Sequence, residues 1–244
     1  MTPERAKRSD AGQPRLTQRD LDALAWLVEM KAVAEPDLAV LLGRLGGGET
    51  VSASAVRRMV TRWRKLGVAE ARKVLMDQPR MVFLLPGGAQ LSGETQWRET
   101  AAWTAVHACE VSRARLWLEG QPDGLDLPLL RGLRVAEWQS ERRWRQELAA
   151  RFGGRLPVGT HVPDGVLITP SGKRVAVEVE RTPKEANRLD KIMTALLVPN
   201  GWDGVLYLTT GAAVHNGIRT AYERATARGA KVPLDVVPMP EALT

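Results

Sequence analysis

The sequence predicts an α+β chain, helical at its start and alternating strands with helices towards its end. Three observations carry this. Residues 16–67 hold apolar stripes at helical spacing, and the apolar strand Met81–Leu85 follows them. Residues 161–184, HVPDGVLITPSGKRVAVEVERTPK, read as two short strands about a Ser171-Gly172 turn. Beyond them come a helix, Pro183–Leu197, a strand, Val205–Leu208, a helix, Ala212–Arg228, and a last strand, Val232–Val237.

Leu16–Val33 is the first expected helix, with Thr17 and Asp20 as a capping box and Leu16 and Leu21 as a hydrophobic staple. Pro36 suits the first position of a second helix, Pro36–Gly43. The glycines 46–48 form a loop. No Lys-Ser/Thr follows them and no strand precedes them, so they are not a phosphate loop. Ser52 or Ser54 caps a third helix ending near Gly67. Its inner face is Val56, Met59, Val60, Trp63 and Leu66, with Trp63 read as core, and its outer face is Arg57, Arg58, Thr61, Arg62 and Lys65. Three helices followed by a hairpin is the order of a winged helix-turn-helix. Residues 52–73 hold seven Lys/Arg against one acid, Glu70, which points this face at DNA phosphates. Arg57, Arg58, Arg62 and Lys65 are the expected DNA contacts on the helix, with Arg72 and Lys73 on the wing.

Pro86–Gly93 reads as a Gly/Ser-containing passage. A long helix, Glu99–Leu118, follows, and Gln121–Pro128 is the best linker by composition. Glu137–Phe152 is expected as one helix carrying Trp138 and Glu141. In the motif strands Asp164 lies on the first, and Glu178 and Glu180 share one face of the second, opposite Val175, Val177 and Val179. Lys184, Arg188 and Lys191 stand at i, i+4 and i+7 on the helix that follows. Carboxylates gathered beside a basic face suit a hard divalent ion, which can activate water against a phosphodiester. Paired acids on a strand also serve simply as solubilising residues.

Strand alternation puts His161 opposite Asp164, in a structural or exposed role. His107 reads as core or interface packing, His215 as exposed, and Cys109 as buried and inert. With one cysteine there is no disulfide framework or cysteine-rich zinc module, and a reducing cytoplasm fits. The N-terminus has no secretory h-region and reads as a disordered basic tail. No run approaches a membrane span. A net charge of +7 suggests a polyanionic partner.

Pro163-Asp164 with Glu178-Val179-Glu180 and an upstream Glu141 resembles the PD-(D/E)XK restriction-endonuclease-like core, over roughly residues 135–240. The whole chain resembles the replication-relaxation family of plasmids and integrative elements. Glu178-Val179-Glu180-Arg181-Thr182 is similar to that family's E-x-D-R-x-T stretch, and AVHACEVSRARLWL around His107 to its middle helix. The resemblance implies an α+β architecture: a winged helix-turn-helix followed by a restriction-endonuclease-like αββαβ core. The expected division is a tail at 1–15, a winged helix at 16–93, a connecting helix and linker at 94–128, and a nuclease-like domain at 129–244.

The resemblance also implies Asp164 and Glu178 as ligands to Mg²⁺ or Mn²⁺, the only cofactor expected, with Glu141 as an accessory acid. Position 180 departs from the pattern, carrying Glu180 where the nuclease motif has Lys. Lys184 or Lys191 would have to supply that amine. The implied function is double-stranded DNA binding in replication or transfer control, in the cytoplasm. Two alternatives compete: a metal-dependent endonuclease, and an interaction protein that uses its basic surface on a replication or transfer partner. A homodimer is an expected assembly; no membrane or small-molecule cofactor is expected.

Overall fold

The computed structural model describes residues 15–93, 100–198 and 201–243. The expected tail, apart from Arg15, and the helix start at Glu99 lie outside the described residues. No helix among the described residues is long and apolar enough to cross a membrane.

The chain is a mixed α+β structure with eight helices and two sheets among its described residues. Helix α1 (Gln18–Met30) starts on the Thr17 capping box, closed in both directions with Asp20. It stops earlier than its apolar period suggests. Lys31 turns the chain at φ 71, and Ala32–Ala34 becomes strand β1. Helix α2 (Glu35–Leu45) carries Pro36 in its first turn, and α3 (Ala53–Lys65) is capped by the Ser52 hydroxyl. Strands β2 (Ala69–Arg72) and β3 (Met81–Leu84) complete an antiparallel sheet of order β1-β3-β2. The register Ala32↔Phe83 explains why residues 32–34 leave the helix: their apolar side chains are buried in sheet pairing.

Pro86–Leu91 is a short helix, α4, where a plain connection was expected. A Cβ on Gly88 would sit 2.2 Å from the Val68 carbonyl oxygen, so glycine lets α4 lie close against the backbone just before β2. Helix α5 (Ala102–Glu119) is buried over most of its circumference. Ala105, Val106, Ala108 and Cys109 pack with Ala32, Met81 and Phe83. Val111, Ala114, Leu116 and Leu118 join the main core. A helix apolar on several sides belongs inside a structure. The Ser112 hydroxyl donates to the Ala32 carbonyl at 2.6 Å, anchoring α5 to β1.

The expected linker 121–128 is tied down. Leu125 and Leu133 pair, and Leu127 and Leu133 are buried. The amides of Leu129 and Leu130 donate to the buried Asp235 carboxylate.

The expected helix 137–152 is two elements, strand β4 (Glu137–Ser140) and helix α6 (Glu141–Arg151). Trp138 decides it: its ring occupies the space where Gly165 has no side chain, and β4 pairs with β5 (Gly165–Ile168). The Ser140 hydroxyl then caps α6. Strand β6 (Arg174–Glu180) pairs antiparallel with β5 across the Gly172 turn. Helix α7 (Ala186–Leu196), strand β7 (Gly204–Thr209), helix α8 (Ala212–Ala227) and strand β8 (Leu234–Pro238) complete a sheet of order β4-β5-β6-β7-β8. β6, β7 and β8 are parallel, as strands joined by crossover helices are.

Both faces of this sheet are covered. Ala176, Val205 and Tyr207 pack with Leu189, Met193 and Ile218 of α7 and α8. Val175, Val177, Val179, Leu206 and Leu208 belong to one continuous core with Leu27, Trp63 and Leu116. Burying each such side chain contributes about 1.5–3 kcal/mol, so the two sheets share much of their stabilisation.

Candidate functional site

The acidic face of β6 ends in a cleft of about 300 Å³. Glu178 and Glu180 alternate with the buried Val179, and Glu178 stands beside Tyr207 in the register. Gly165 is level with Val177, which sets Asp164 next to Glu178 at the mouth of β5. The Val179 amide donates to Asp164 Oδ2 at 2.8 Å, and His107 Nε2, from α5, is 2.8 Å from Asp164 Oδ1. His161 Nε2 is 2.6 Å from Glu178 Oε1. The Lys184 ammonium pairs with Glu180, whose other oxygen accepts from the Arg181 amide at 3.2 Å. One helical turn beyond His107, Glu110 accepts from Arg181 Nε at 2.7 Å, and its second oxygen is buried with no partner among the described residues.

These pairings shift the titrations. The hydrogen bond to Asp164 holds the His107 imidazolium above its usual range, against the opposing effect of burial. Burial works against protonation of His161, and the bond and charge of Glu178 outweigh it, so its pKa is raised too. Burial pushes the Glu178 carboxyl up to about 7, helped by Asp164 and opposed by His161. Burial also raises Glu110 and lowers Lys184. Cys109 is buried and its thiol is pushed up to about 12.

The structure thus brings together Asp164, Glu178, Glu180 and Lys184, and leaves out Glu141 and Lys191. Glu141 opens α6 and gives its carboxylate to Lys31 at 2.6 Å and Arg145 at 2.8 Å. Only its amide meets the site, through the Asp164 carbonyl at 3.3 Å. Its place on a long helix was lost when residues 137–140 became a strand. Lys191 is exposed on α7 and does not line the cleft. Lys184 precedes α7, so it shares no helical face with Arg188 and Lys191.

Strand alternation does not apply to His161, because residues 161–164 precede β5. His107 faces the cleft and is not core. Sequence reasoning missed His107, Glu110 and Arg181 as site residues. The available signal was the pair His107 and Glu110, at i and i+3 on a helix otherwise mostly apolar.

A second cavity of about 770 Å³ lies between α1, α5 and α6 and shares His107 and Asp164 with the cleft. Leu27, Met30 and Val111 form its apolar wall, and Lys31, Glu141 and Arg145 part of its rim.

On α3, Arg57, Arg58 and Lys65 are exposed, and Arg64 is exposed beside them. Arg62 is not available in the same way. Its guanidinium meets both oxygens of the fully buried Asp20, at 2.5 and 2.6 Å, and Trp63 Nε1 donates to the same carboxylate at 2.8 Å. Burial would raise the Asp20 pKa, but the hydrogen bonds from Thr17, Trp63 and Arg62 hold it below the usual carboxylate range. Arg72 pairs with Glu70 and lies over the Phe83 ring, and Lys73 donates to the Gln78 carbonyl. Both stay exposed.

Comparison with protein-family models, curated proteins and solved structures finds no match for the chain. The family resemblance stands on its motif residues.

A hard divalent ion takes carboxylate oxygens with no stronger claim on them. Here both Asp164 oxygens and one Glu178 oxygen are committed, and Glu180 is held by Lys184. Among the described residues no three His, Cys, Asp or Glu side chains are gathered to hold a metal. The arrangement sets two imidazole–carboxylate pairs, His107 with Asp164 and His161 with Glu178, at the end of β6.

Proposed function

We propose that the chain is a double-stranded DNA-binding protein whose first sheet and three helices form a winged helix. The observation that carries this is α3. Val56, Met59, Val60 and Trp63 are buried, while Arg57, Arg58, Arg64 and Lys65 stand exposed on a helix without acids. Such a face neutralises phosphates and offers guanidinium forks to guanine edges. The antiparallel hairpin of β2 and β3 follows α3 directly and supports the same reading, because a winged helix-turn-helix continues into such a hairpin. The setting, replication or transfer control of a plasmid or integrative element, rests on the sequence resemblance. In this reading the restriction-endonuclease-like half serves as a clamp or an oligomerisation module.

Fluorescence anisotropy on a labelled duplex tests it. Arg57→Ala with Arg58→Ala should weaken binding roughly tenfold or more and reduce the salt slope by about 2. Unchanged binding and slope would sink the reading.

A second reading, a DNA endonuclease, is favoured by His107, Asp164, Glu178 and Lys184 lining one cleft, with His161 bonded to Glu178. Nicking of plasmid DNA that Glu178→Ala abolishes would establish it, and comparison of Mn²⁺ with EDTA would show its metal dependence. No nicking under either condition leaves the regulator.

A further inference from the structure

The hairpin of β2 and β3 ends in a turn with an unusual apex. Gln78 N–H donates to the Leu75 carbonyl at 3.3 Å, which puts Met76 and Asp77 at the tip. Met76 is 90% exposed and Leu75 is 42% exposed. A turn apex usually carries Gly, Asn or Asp, residues suited to water and to tight backbone angles. Here a long, unbranched apolar side chain stands in solvent.

The turn beneath it is braced. The Lys73 ammonium crosses the hairpin to the Gln78 carbonyl, Arg80 donates to the Ala71 carbonyl at 2.9 Å, and Val74 packs against the core behind α5. Lys73 and Arg80 stand at the two ends of the loop that carries the apex, Arg80 also lying 3.7 Å from Glu35, and Arg57, Arg58, Arg64 and Lys65 lie on α3, which packs against β2. Asp77 is the only acid within residues 73–80.

We infer that Met76 is a wedge that enters the minor groove of duplex DNA and partly unstacks a base step there. Three features lead to this occupant. The surrounding cations complement a polyanion. Each strand of the hairpin is four residues long, so its apex stands roughly 13 Å out from the base at the usual rise. α3 packs against β2, so a duplex held by α3 lies within reach of the hairpin as well. Met is also among the side chains that act as wedges there, where a slender apolar chain slides between bases and kinks the duplex. Pyrimidine–purine steps unstack most easily, so TpA is the preferred entry point. The inference rests on the DNA-binding reading above and adds a deformation that phosphate contacts alone do not produce.

The full chain is titrated into a short duplex carrying 2-aminopurine beside a TpA step, reading anisotropy for binding and 2-aminopurine emission for unstacking. Binding should raise the emission about twofold or more. Met76→Ala should lose most of that rise and weaken binding roughly tenfold, while Met76→Leu, which keeps a wedge, should retain both. Arg57→Ala with Arg58→Ala should weaken binding yet still give the emission rise once saturated.

A duplex that binds without an emission change, or an emission change that Met76→Ala leaves intact, overturns the wedge and leaves DNA binding standing. No anisotropy change with the unaltered protein overturns both. If Met76→Ala alters the sedimentation of the protein alone and not the duplex signals, the apex is a contact between copies of the chain and the wedge is overturned.

Discussion

The outer face of α3 and the cleft at the end of β6 are both rich in charge, and they use it in opposite ways. On α3, Arg57, Arg58, Arg64 and Lys65 point into solvent with no ion pair among the described residues. In the cleft each acid meets a base: Asp164 with His107, Glu178 with His161, Glu180 with Lys184, Glu110 with Arg181. A surface left unneutralised can release counterions from a polyanion. A cluster that satisfies itself spends its charge on position and proton affinity. Counting charges along the sequence does not separate the two, because Arg62 sits in the basic run and yet belongs to the second kind.

The hardest way to break the contrast is at Asp20. Asp20→Ala removes the buried partner of Arg62 and Trp63 and the capping box of α1, and should cost about 3 kcal/mol of stability in urea unfolding. Next in size, Arg62→Ala should cost about 1–2 kcal/mol of stability. It should change the salt slope of duplex binding by less than Arg57→Ala does. An equal loss of slope would mean that Arg62 leaves Asp20 to meet phosphate.

The third comparison is in pH. The Asp20 carboxyl is held down, so its contribution is present above the unfolded value near 4 and is lost as pH falls through its lower folded value. The cleft has the opposite slope. His107 and His161 are raised, so their contribution is full below about 6.5 and is lost as pH rises through their folded values. Glu178, raised to about 7, adds a penalty that grows from pH near 4.5 to 7. The unfolding free energy from urea titrations should therefore fall between pH 5 and 8, by roughly 1–3 kcal/mol from Glu178, and Glu178→Gln should flatten that fall. A free energy that climbs over this range would contradict the pairing.

The smallest effect is expected at two residues outside both regions of charge. Cys109, buried with its thiol near 12, should resist iodoacetamide at pH 8 until urea unfolds the chain. Lys191→Ala should leave both duplex binding and stability within about 0.5 kcal/mol.

What was legible in the sequence was local. Thr17 with Asp20, Ser52 before α3 and the Ser171-Gly172 turn are decided by neighbours within a few residues, and the structure has them all. What was not legible depends on distant partners. Residues 32–34 continue the period of α1 and become a strand only because β3, some fifty residues on, offers an edge. Residues 137–140 are polar enough for a helix start, and their strand state depends on Gly165 leaving room for Trp138. His161 was placed by alternation on a segment that is not a strand. The acids Asp164, Glu178 and Glu180 were legible as a group, but their bases were not, since His107 arrives from a helix that composition assigns to a connector.

α5 is nailed to β1 by Ser112 and carries His107 into the cleft, and its apolar sides are shared by both sheets. A severed chain, cut at residues 121–128, would leave each piece with a greasy slab facing water. The two halves are therefore expected to melt in one transition.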